Sequence, residues 1–133
     1  MQTFLPFPSF LDSAKCLDYR RLGKQRVEAY QIYNALLDPE YGWQNHPATK
    51  MWRGYPDALA LYHNEMIAEW KKRGYNNTMH YLTVEFPAEF PPWLGDEDFH
   101  LSHRSMLLQK DYEFYRDKFP ADTPLNLGYK WPV

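Results

Sequence analysis

The feature that most constrains the fold is a helical repeat of large apolar residues between a proline and a glycine. These residues are three or four positions apart, at Leu59, Tyr62, Met66 and Trp70. That spacing places them on one face of an α-helix. Pro56 suits the first turn of a helix, and Gly74 suits the position just after its last turn. We therefore predict a helix over residues 56–73.

Two further helices are predicted on either side of it. Residues 13–37 form the first, because Ser9, Asp12 or Ser13 can cap its start and the pair Asp38-Pro39 stops it. Residues 96–119 form the other, with an acidic first turn that suits the helix dipole and a break near Lys110-Asp111.

The remaining segments favour irregular structure. Residues 1–11 contain two prolines and are expected to be extended and packed against the body. The alternation in residues 80–86 is cut off by nearby prolines, which favours a wrapping loop over a strand. We predict an all-α fold, a single compact domain over residues 1–133 with three principal helices and long irregular connections.

Composition excludes several classes of protein. A length of 133 residues is typical of one domain, and the net charge of −2 means that any nucleic-acid site must be a local patch. The only cysteine, Cys16, leaves no internal disulfide and no sign of export. The apolar runs are too short to cross a bilayer. We expect a cytoplasmic monomer with no membrane partner.

One segment, residues 18–28, concentrates positive charge. Its cations are Arg20, Arg21, Lys24 and Arg26. Positions 20, 24 and 28 lie four apart, so Arg20, Lys24 and Glu28 share one helix face. The opposite, apolar face is predicted to carry Tyr19, Leu22, Gly23, Tyr30, Tyr33 and Leu37, and Arg26 falls on that face as well. It extends out of the core, or is buried for a purpose, or Gly23 breaks the helix and changes the register.

Two other segments combine aromatic and polar residues. Residues 40–55 place Gln44, Asn45 and His46 beside Trp43, followed by Lys50 and Arg53 around Trp52. Such groups can read the edge of a base and stack on its face. The alternative is that Asn45 and His46 cap a short helix entered through Pro47. The tail alternates Tyr129, Lys130 and Trp131, which would suit a small stacking platform.

The available chemistry points to an amine. No metal-binding motif is present, so we predict no metal and no cofactor; a helical pair, His100 and His103, leaves a metal nuclease as a weaker idea. A primary amine with a lowered pKa can attack a sugar C1′ and form a Schiff base. The chain's α-amino group qualifies, and so does Lys24, whose pKa neighbouring arginines would lower. Glu28 is the natural acid-base partner.

Four segments resemble one known family. Residues 19–22 (YRRL) with 26–27 (RV) resemble its first-helix motif, and residues 65–76 (EMIAEWKKRGYN) resemble the end of its second helix. Residues 102–108 are similar to the start of its third helix, and 128–131 (GYKW) to its aromatic tail. The family is that of the pyrimidine-dimer DNA glycosylases, of the phage endonuclease V type. The resemblance implies an all-α fold, a basic concave face that kinks DNA, and glycosylase and abasic-site lyase activity without a metal.

The resemblance also implies that the α-amine of the processed amino terminus is the nucleophile, with a first-helix glutamate beside it. This chain has Arg21 where that glutamate follows the Tyr-Arg pair, so Glu28 is the candidate substitute. Met1 precedes a bulky Gln2 and is not readily removed, which leaves the amine of Met1 as the nucleophile. If Met1 is removed, the amine is that of Gln2, which can cyclise.

The sequence thus predicts a DNA repair glycosylase and abasic-site lyase that acts on damaged bases, such as pyrimidine dimers, in double-stranded DNA. The alternative is a non-catalytic binder of damaged or structured nucleic acid. The catalytic candidates are Met1, Gln2, Lys24 and Glu28. The candidate DNA-binding residues are Arg20, Arg21, Lys24, Arg26, Asn45, His46, Lys50, Arg53, Tyr129, Lys130 and Trp131.

Overall fold

A computed structural model describes all 133 residues and contains helices but no strands. The helices are α1 (Phe10–Cys16), α2 (Tyr19–Leu37), α3 (Pro47–Trp52), α4 (Pro56–Lys72), α5 (Glu97–Lys110) and α6 (Tyr112–Tyr115). The predicted all-α fold is confirmed. The longest helices, α2, α4 and α5, correspond to the three principal helices of the prediction. None of the six meets the length and apolarity that a membrane crossing requires.

The predicted first helix is wrong at its start, because two helices replace one. Ser9 caps α1 by accepting a hydrogen bond from the Asp12 backbone N–H at 3.1 Å. The chain is extended at Leu17 and Asp18, and α2 begins after them. The Asp18 carboxylate accepts from the Arg21 N–H at 3.3 Å and so caps α2. The predicted end at Leu37 is confirmed.

The predicted buried face of α2 is wrong in most of its members, although Leu22 is buried as predicted. Its fully or nearly fully buried residues are Leu22, Gln25, Ala29, Ile32 and Ala35, whereas the predicted members Tyr19, Tyr30 and Leu37 are exposed. The alanines are small enough to let α2 pack closely on α4, its most extensive partner. The helix continues through Gly23, where a Cβ atom would lie only 3.0 Å from the Trp70 ring. Gly23 therefore serves packing and does not break the helix.

The remaining elements follow the prediction closely. The short helix α3 starts at Pro47, and α4 runs from Pro56 to Lys72. Asp96 caps α5, and Asp111 ends it and caps α6, which confirms the predicted break. Residues 75–95 contain no strand and wrap around the helices as a loop.

The amino-terminal segment is built into the core. Thr3 and Leu5 are fully buried, and Gln2 and Phe4 nearly so. The segment is held by hydrogen bonds from three helices: the Phe4 N–H to Gln25 of α2 (3.0 Å), the Tyr62 hydroxyl of α4 to the Phe4 carbonyl (2.9 Å), and the Leu5 N–H to His103 of α5 (3.0 Å). The start of the chain is therefore a fixed part of the structure, as predicted.

Candidate active site at the amino terminus

A cavity of about 400 Å³ lies where the amino terminus meets α2. It is lined by Met1, Gln2, Phe4, Arg20, Arg21, Lys24, Gln25, Glu28, Lys110 and Tyr129. All four predicted catalytic residues are in this lining, although they come from two separate parts of the chain. The lining includes four Lys or Arg side chains and one carboxylate, so the cavity favours an anionic ligand.

The cations of α2 differ in how far they are neutralised. Arg21 forms a 3.1 Å ion pair with Asp18, whose carboxylate also accepts a hydrogen bond from the Tyr115 hydroxyl. Arg20 and Lys24 are exposed and take part in none of the protein's five salt bridges. Arg20 and Lys24 are therefore the cations of α2 at this cavity that remain available to an external phosphate, as is the exposed Lys110 of α5.

Glu28 lies beside the first peptide group of the chain. Its Oε2 atom accepts a hydrogen bond from the Gln25 Nε2 at 3.0 Å and a longer one from the Gln2 backbone N–H at 3.4 Å. No salt bridge engages this carboxylate, neither from Lys24 nor from the Met1 ammonium group. The Glu28 carboxylate is thus fixed next to the amino terminus and retains acceptor capacity toward the cavity.

Gln25 fixes this geometry, and sequence reasoning missed it. Its side chain is completely buried. Its Nε2 donates to the Gln2 carbonyl (2.9 Å) and to Glu28 (3.0 Å), and its Oε1 accepts from the Phe4 N–H (3.0 Å) and the Tyr62 hydroxyl (2.6 Å). One amide therefore joins the amino-terminal segment, α2 and α4. Gln25 lies on the same helix face as Leu22 and Ile32. A polar residue on that buried face could have identified it from the sequence, had the face been predicted correctly.

His46 brings the second predicted segment to the site. Its Nδ1 accepts from the Ala48 N–H at 3.0 Å, so it caps α3 as the alternative interpretation proposed. Burial lowers the pKa of His46, the Met1 ammonium lowers it further, and the Glu28 carboxylate opposes both. The Met1 ammonium and the Glu28 carboxylate therefore both act on this imidazole. Asn45, its neighbour, is exposed.

Aromatic rings connect His46 with the cavity wall. The His46 and Trp131 rings pack edge to face with their centroids 5.9 Å apart, and the Trp131 and Tyr129 ring centroids are 5.8 Å apart. Burial raises the pKa of Tyr129 to about 12, so its hydroxyl stays protonated at neutral pH. Tyr129 and Trp131 of the tail thus lie on the amino-terminal site, with a neutral phenol at the cavity.

Four other predicted DNA-binding residues lie outside the cavity lining. The Arg26 guanidinium lies 4.2 Å from the centre of the Trp70 ring and donates to Asn77 at 2.8 Å. Lys130 pairs with Asp96 at 2.8 Å. The last two, Lys50 and Arg53, are exposed at α3 and just beyond its end. The α2 helix continues through Gly23, so a helix break does not explain the position of Arg26. Its guanidinium is partly buried and stacks on the Trp70 indole.

The histidine pair of α5 is directed into the core. His103 accepts from the Leu5 N–H, and His100 accepts from the Gly95 N–H at 2.9 Å through Nε2. Both rings are fully buried. No group of three or more His, Cys, Asp or Glu side chains is arranged to hold a metal ion.

The fold and this cavity define a class: an all-α protein with a cationic cleft built around its own amino terminus. The family model described as pyrimidine dimer DNA glycosylase matches residues 1–83. Since that match covers more than half of the chain, the protein belongs to the pyrimidine dimer DNA glycosylase family, a family of DNA repair glycosylases. No curated protein and no solved structure matches the chain.

The matched region contains most of the site. It includes the amino-terminal segment, α2, His46 and α4, but ends before α5 and the aromatic tail. The places of Lys110, Tyr129 and Trp131 in the site therefore rest on the structure and not on the family match.

Proposed function

We propose that the protein is a bifunctional DNA repair enzyme, a glycosylase and abasic-site lyase that uses its terminal α-amine as the nucleophile. The observation that carries the proposal is the Glu28 carboxylate, held 3.4 Å from the Gln2 backbone nitrogen at the wall of a cationic cavity. Schiff-base chemistry at a sugar uses an amine with an acid-base group near it, and the Met1 amine stands one residue before the nitrogen that Glu28 contacts.

The reaction begins with attack of the amine nitrogen on the sugar C1′ atom. The bond from C1′ to the damaged base breaks, and the base leaves with the bonding electrons and a proton. Opening of the sugar ring at O4′ then gives a protonated imine between C1′ and the amine. Removal of a C2′ proton expels the 3′ phosphate by β-elimination, and water later releases the amine. In this scheme the Glu28 carboxylate takes the proton that the terminal ammonium loses before attack, donates it to O4′, and later accepts the one from C2′.

The terminal amine is preferred over Lys24 because of how each is held. Lys24 is an exposed side chain at the cavity wall, whereas the amino-terminal segment is buried and bonded from residue 2 onward. With Met1 in place, the nucleophile is the Met1 amine. If Met1 is removed, the nitrogen of Gln2 becomes the amine, and that nitrogen already lies against Glu28.

DNA binding follows from the surroundings of the cavity. Arg20 and Lys24 supply cations without carboxylate partners, which suits contacts with the phosphates on both sides of a lesion. Tyr129 and Trp131 supply aromatic surface for a base displaced from a damaged duplex. We propose double-stranded DNA with damaged bases as the substrate, bound by one copy of the chain, and chemistry that does not depend on a metal.

Borohydride trapping tests the proposal. The protein is incubated with duplexes that carry an ultraviolet-induced pyrimidine dimer or an abasic site, and borohydride reduces any imine to a stable protein–DNA adduct. We expect adducts and strand cleavage with both duplexes, and neither when the terminal amine has been acetylated. Salt-sensitive binding with no adduct on either duplex would overturn the lyase and leave the alternative, a non-catalytic binder of damaged DNA.

A further inference from the structure

Trp43 adopts a backbone conformation that its residue type disfavours. It has φ of 70° and is the only non-glycine residue of the chain with a positive φ. A bulky side chain in the left-handed region costs on the order of 1–3 kcal/mol and persists only where the surroundings enforce it. Two questions follow: which contacts hold Trp43 in this conformation, and what the protein gains from it.

The structural cause is the next residue, Gln44. Its Nε2 donates to three backbone carbonyls, those of Ala35 (2.9 Å), Asp38 (2.9 Å) and Tyr41 (3.0 Å). Arg53 then donates to the Gln44 carbonyl at 2.9 Å and to its Oε1 at 2.7 Å. Five hydrogen bonds on one glutamine fix the loop that carries Trp43.

Packing of the Trp43 side chain in the core does not explain why the protein keeps this conformation. The Trp43 side chain is 49% exposed, whereas Trp52 and Trp93 are buried in the core. Its indole contacts the His46 ring edge to face, with ring centroids 5.7 Å apart, and about half of its surface is open to solvent. A large apolar ring that is held rigidly at the surface, in a costly backbone conformation, is prepared for a ligand.

The position of Trp43 indicates which ligand. Its ring is the outer member of a continuous aromatic path, Trp43–His46–Trp131–Tyr129, whose inner end lines the cavity. The loop also carries the exposed carboxylates of Asp38 and Glu40, which would repel a phosphate. Trp43 is therefore suited to the face of a nucleobase and not to the DNA backbone.

We propose that Trp43 stacks on a base that has left the double helix next to the lesion. The proposal rests on the DNA substrate of the proposed function but not on its Schiff-base chemistry. An unstacked base would find its π-face covered by an indole already fixed in place, at little cost in entropy. Trp43 would thereby favour DNA whose stacking a lesion has weakened over intact DNA.

The test uses 2-aminopurine, a fluorescent base that is quenched when it stacks on an indole, placed beside an abasic site or opposite it. The wild-type protein should quench it on binding. Trp43→Asn, which removes the indole but tolerates positive φ, should abolish the quenching and weaken binding about 5- to 150-fold. Trp43→Tyr retains a ring and should recover part of the affinity.

The matched control is Tyr112→Ala. Tyr112 has the same exposure, 49%, but lines a different cavity with Arg116 and Leu125. Its removal should leave quenching and affinity unchanged. Affinity of Trp43→Asn within twofold of the wild type, or an equal loss in Tyr112→Ala, would overturn the proposal. A wild-type protein that quenches 2-aminopurine but forms no borohydride adduct would refute the lyase chemistry and leave the role of Trp43 standing.

Discussion

Two buried polar side chains, one from α2 and one from α5, hold the same amino-terminal segment, but only one of them is hydrogen-bonded to a charged residue at the cavity. Gln25 of α2 bonds to Phe4, and His103 of α5 bonds to the adjacent residue, Leu5. Both side chains are fully buried. The Gln25 network continues to Glu28 and the cationic cavity. The His103 ring packs on aromatic rings, the nearest being Phe99 with ring centroids 4.5 Å apart.

The difference shows that burial of a polar group does not by itself mark a functional site. Burial lowers the pKa of His103 to about 3, and its Nε2 has no hydrogen-bond partner. Such a ring is held neutral and serves to satisfy one backbone N–H. Gln25, in contrast, shares its donor with a carboxylate that reaches the cavity. What distinguishes the α2 side is that its hydrogen bonds continue to a carboxylate at the cavity, whereas the His103 ring reaches the cavity residue Tyr129 only through ring packing, with centroids 5.3 Å apart.

The largest expected effect comes from Glu28, the end of the α2 network. Glu28→Gln should lower the single-turnover rate of strand cleavage at an abasic site by about 10²–10⁴-fold, because proton transfer loses its carboxylate. DNA affinity should be retained, since the cations are untouched. Glu65→Gln, on α4 and outside the cavity lining, is the matched control. A Glu28→Gln rate within threefold of the wild type would remove this residue from the mechanism.

Paired substitutions test the comparison itself. Gln25→Leu leaves the Phe4 N–H, the Gln2 carbonyl and the Glu28 carboxylate without their partner. It should both slow cleavage by the folded protein and reduce the free energy of unfolding, by roughly 1–3 kcal/mol for each buried group left unpaired. His103→Leu orphans only the Leu5 N–H. It should cost about 1–3 kcal/mol of stability and leave the cleavage rate of the folded protein unchanged.

These effects are separated by measuring urea unfolding and single-turnover cleavage on the same preparations. Equal slowing of cleavage in both variants would mean that the amino-terminal segment acts as one unit and that the two sides do not differ. The more conservative Tyr62→Phe removes the hydroxyl that donates to the Gln25 Oε1 and to the Phe4 carbonyl, leaves the other bonds of Gln25 in place, and should have a smaller effect on both quantities.

The buried histidines predict how stability depends on pH. Burial lowers the pKa values of His63, His100 and His103 below the ordinary value of 6.5. In the acid range the unfolded chain therefore binds more protons than the folded one. The free energy of unfolding should be greatest above pH 6.5 and fall as the pH drops toward 3, by at most about 1.4 kcal/mol per pH unit for each histidine.

Urea unfolding at pH 7, 6 and 5 checks this dependence. The His103→Leu protein should show a shallower slope over that range, because one of the three histidines no longer contributes. An unfolding free energy that is flat from pH 7 to pH 5 would contradict the burial of neutral imidazoles in the core.

The smallest effect concerns the two faces of α2. Arg20→Gln should reduce the slope of log binding constant against log salt by about 0.9, the value of one phosphate contact. Arg26→Gln should leave that slope unchanged, because its guanidinium stacks on Trp70 and bonds to Asn77. Binding titrations at several salt concentrations measure the slope for each variant. An equal reduction of the slope in Arg20→Gln and Arg26→Gln would mean that DNA contacts both faces of α2.

Local patterns in the sequence predicted much of this architecture. The bounds of α4 were predicted from Pro56 and Gly74, and the structure agrees closely with them. The shared face of Arg20, Lys24 and Glu28 was predicted from their four-residue spacing, and all three line the cavity. The break before α2 was missed because Asp18 also fits a helix interior, whereas here it is a cap. The buried face was misplaced because Tyr19 and Tyr30 counted as core residues.

The contacts that build the site are not local. Leu5 and His103 are 98 residues apart, and Phe4 and Gln25 are 21 residues apart. No periodicity encodes such pairs, so the sequence supplied Glu28 as a candidate without the residue that holds it. Gln25 becomes visible only once the amino-terminal segment is seen to lie along α2.

The most direct test of the central claim is to locate the covalent bond. Borohydride-trapped protein is digested, and the peptide that carries the sugar remnant is identified by mass spectrometry. The account predicts the adduct on the amino-terminal peptide, at the amine of Met1 or, if Met1 has been removed, of Gln2. An adduct on Lys24 would contradict it.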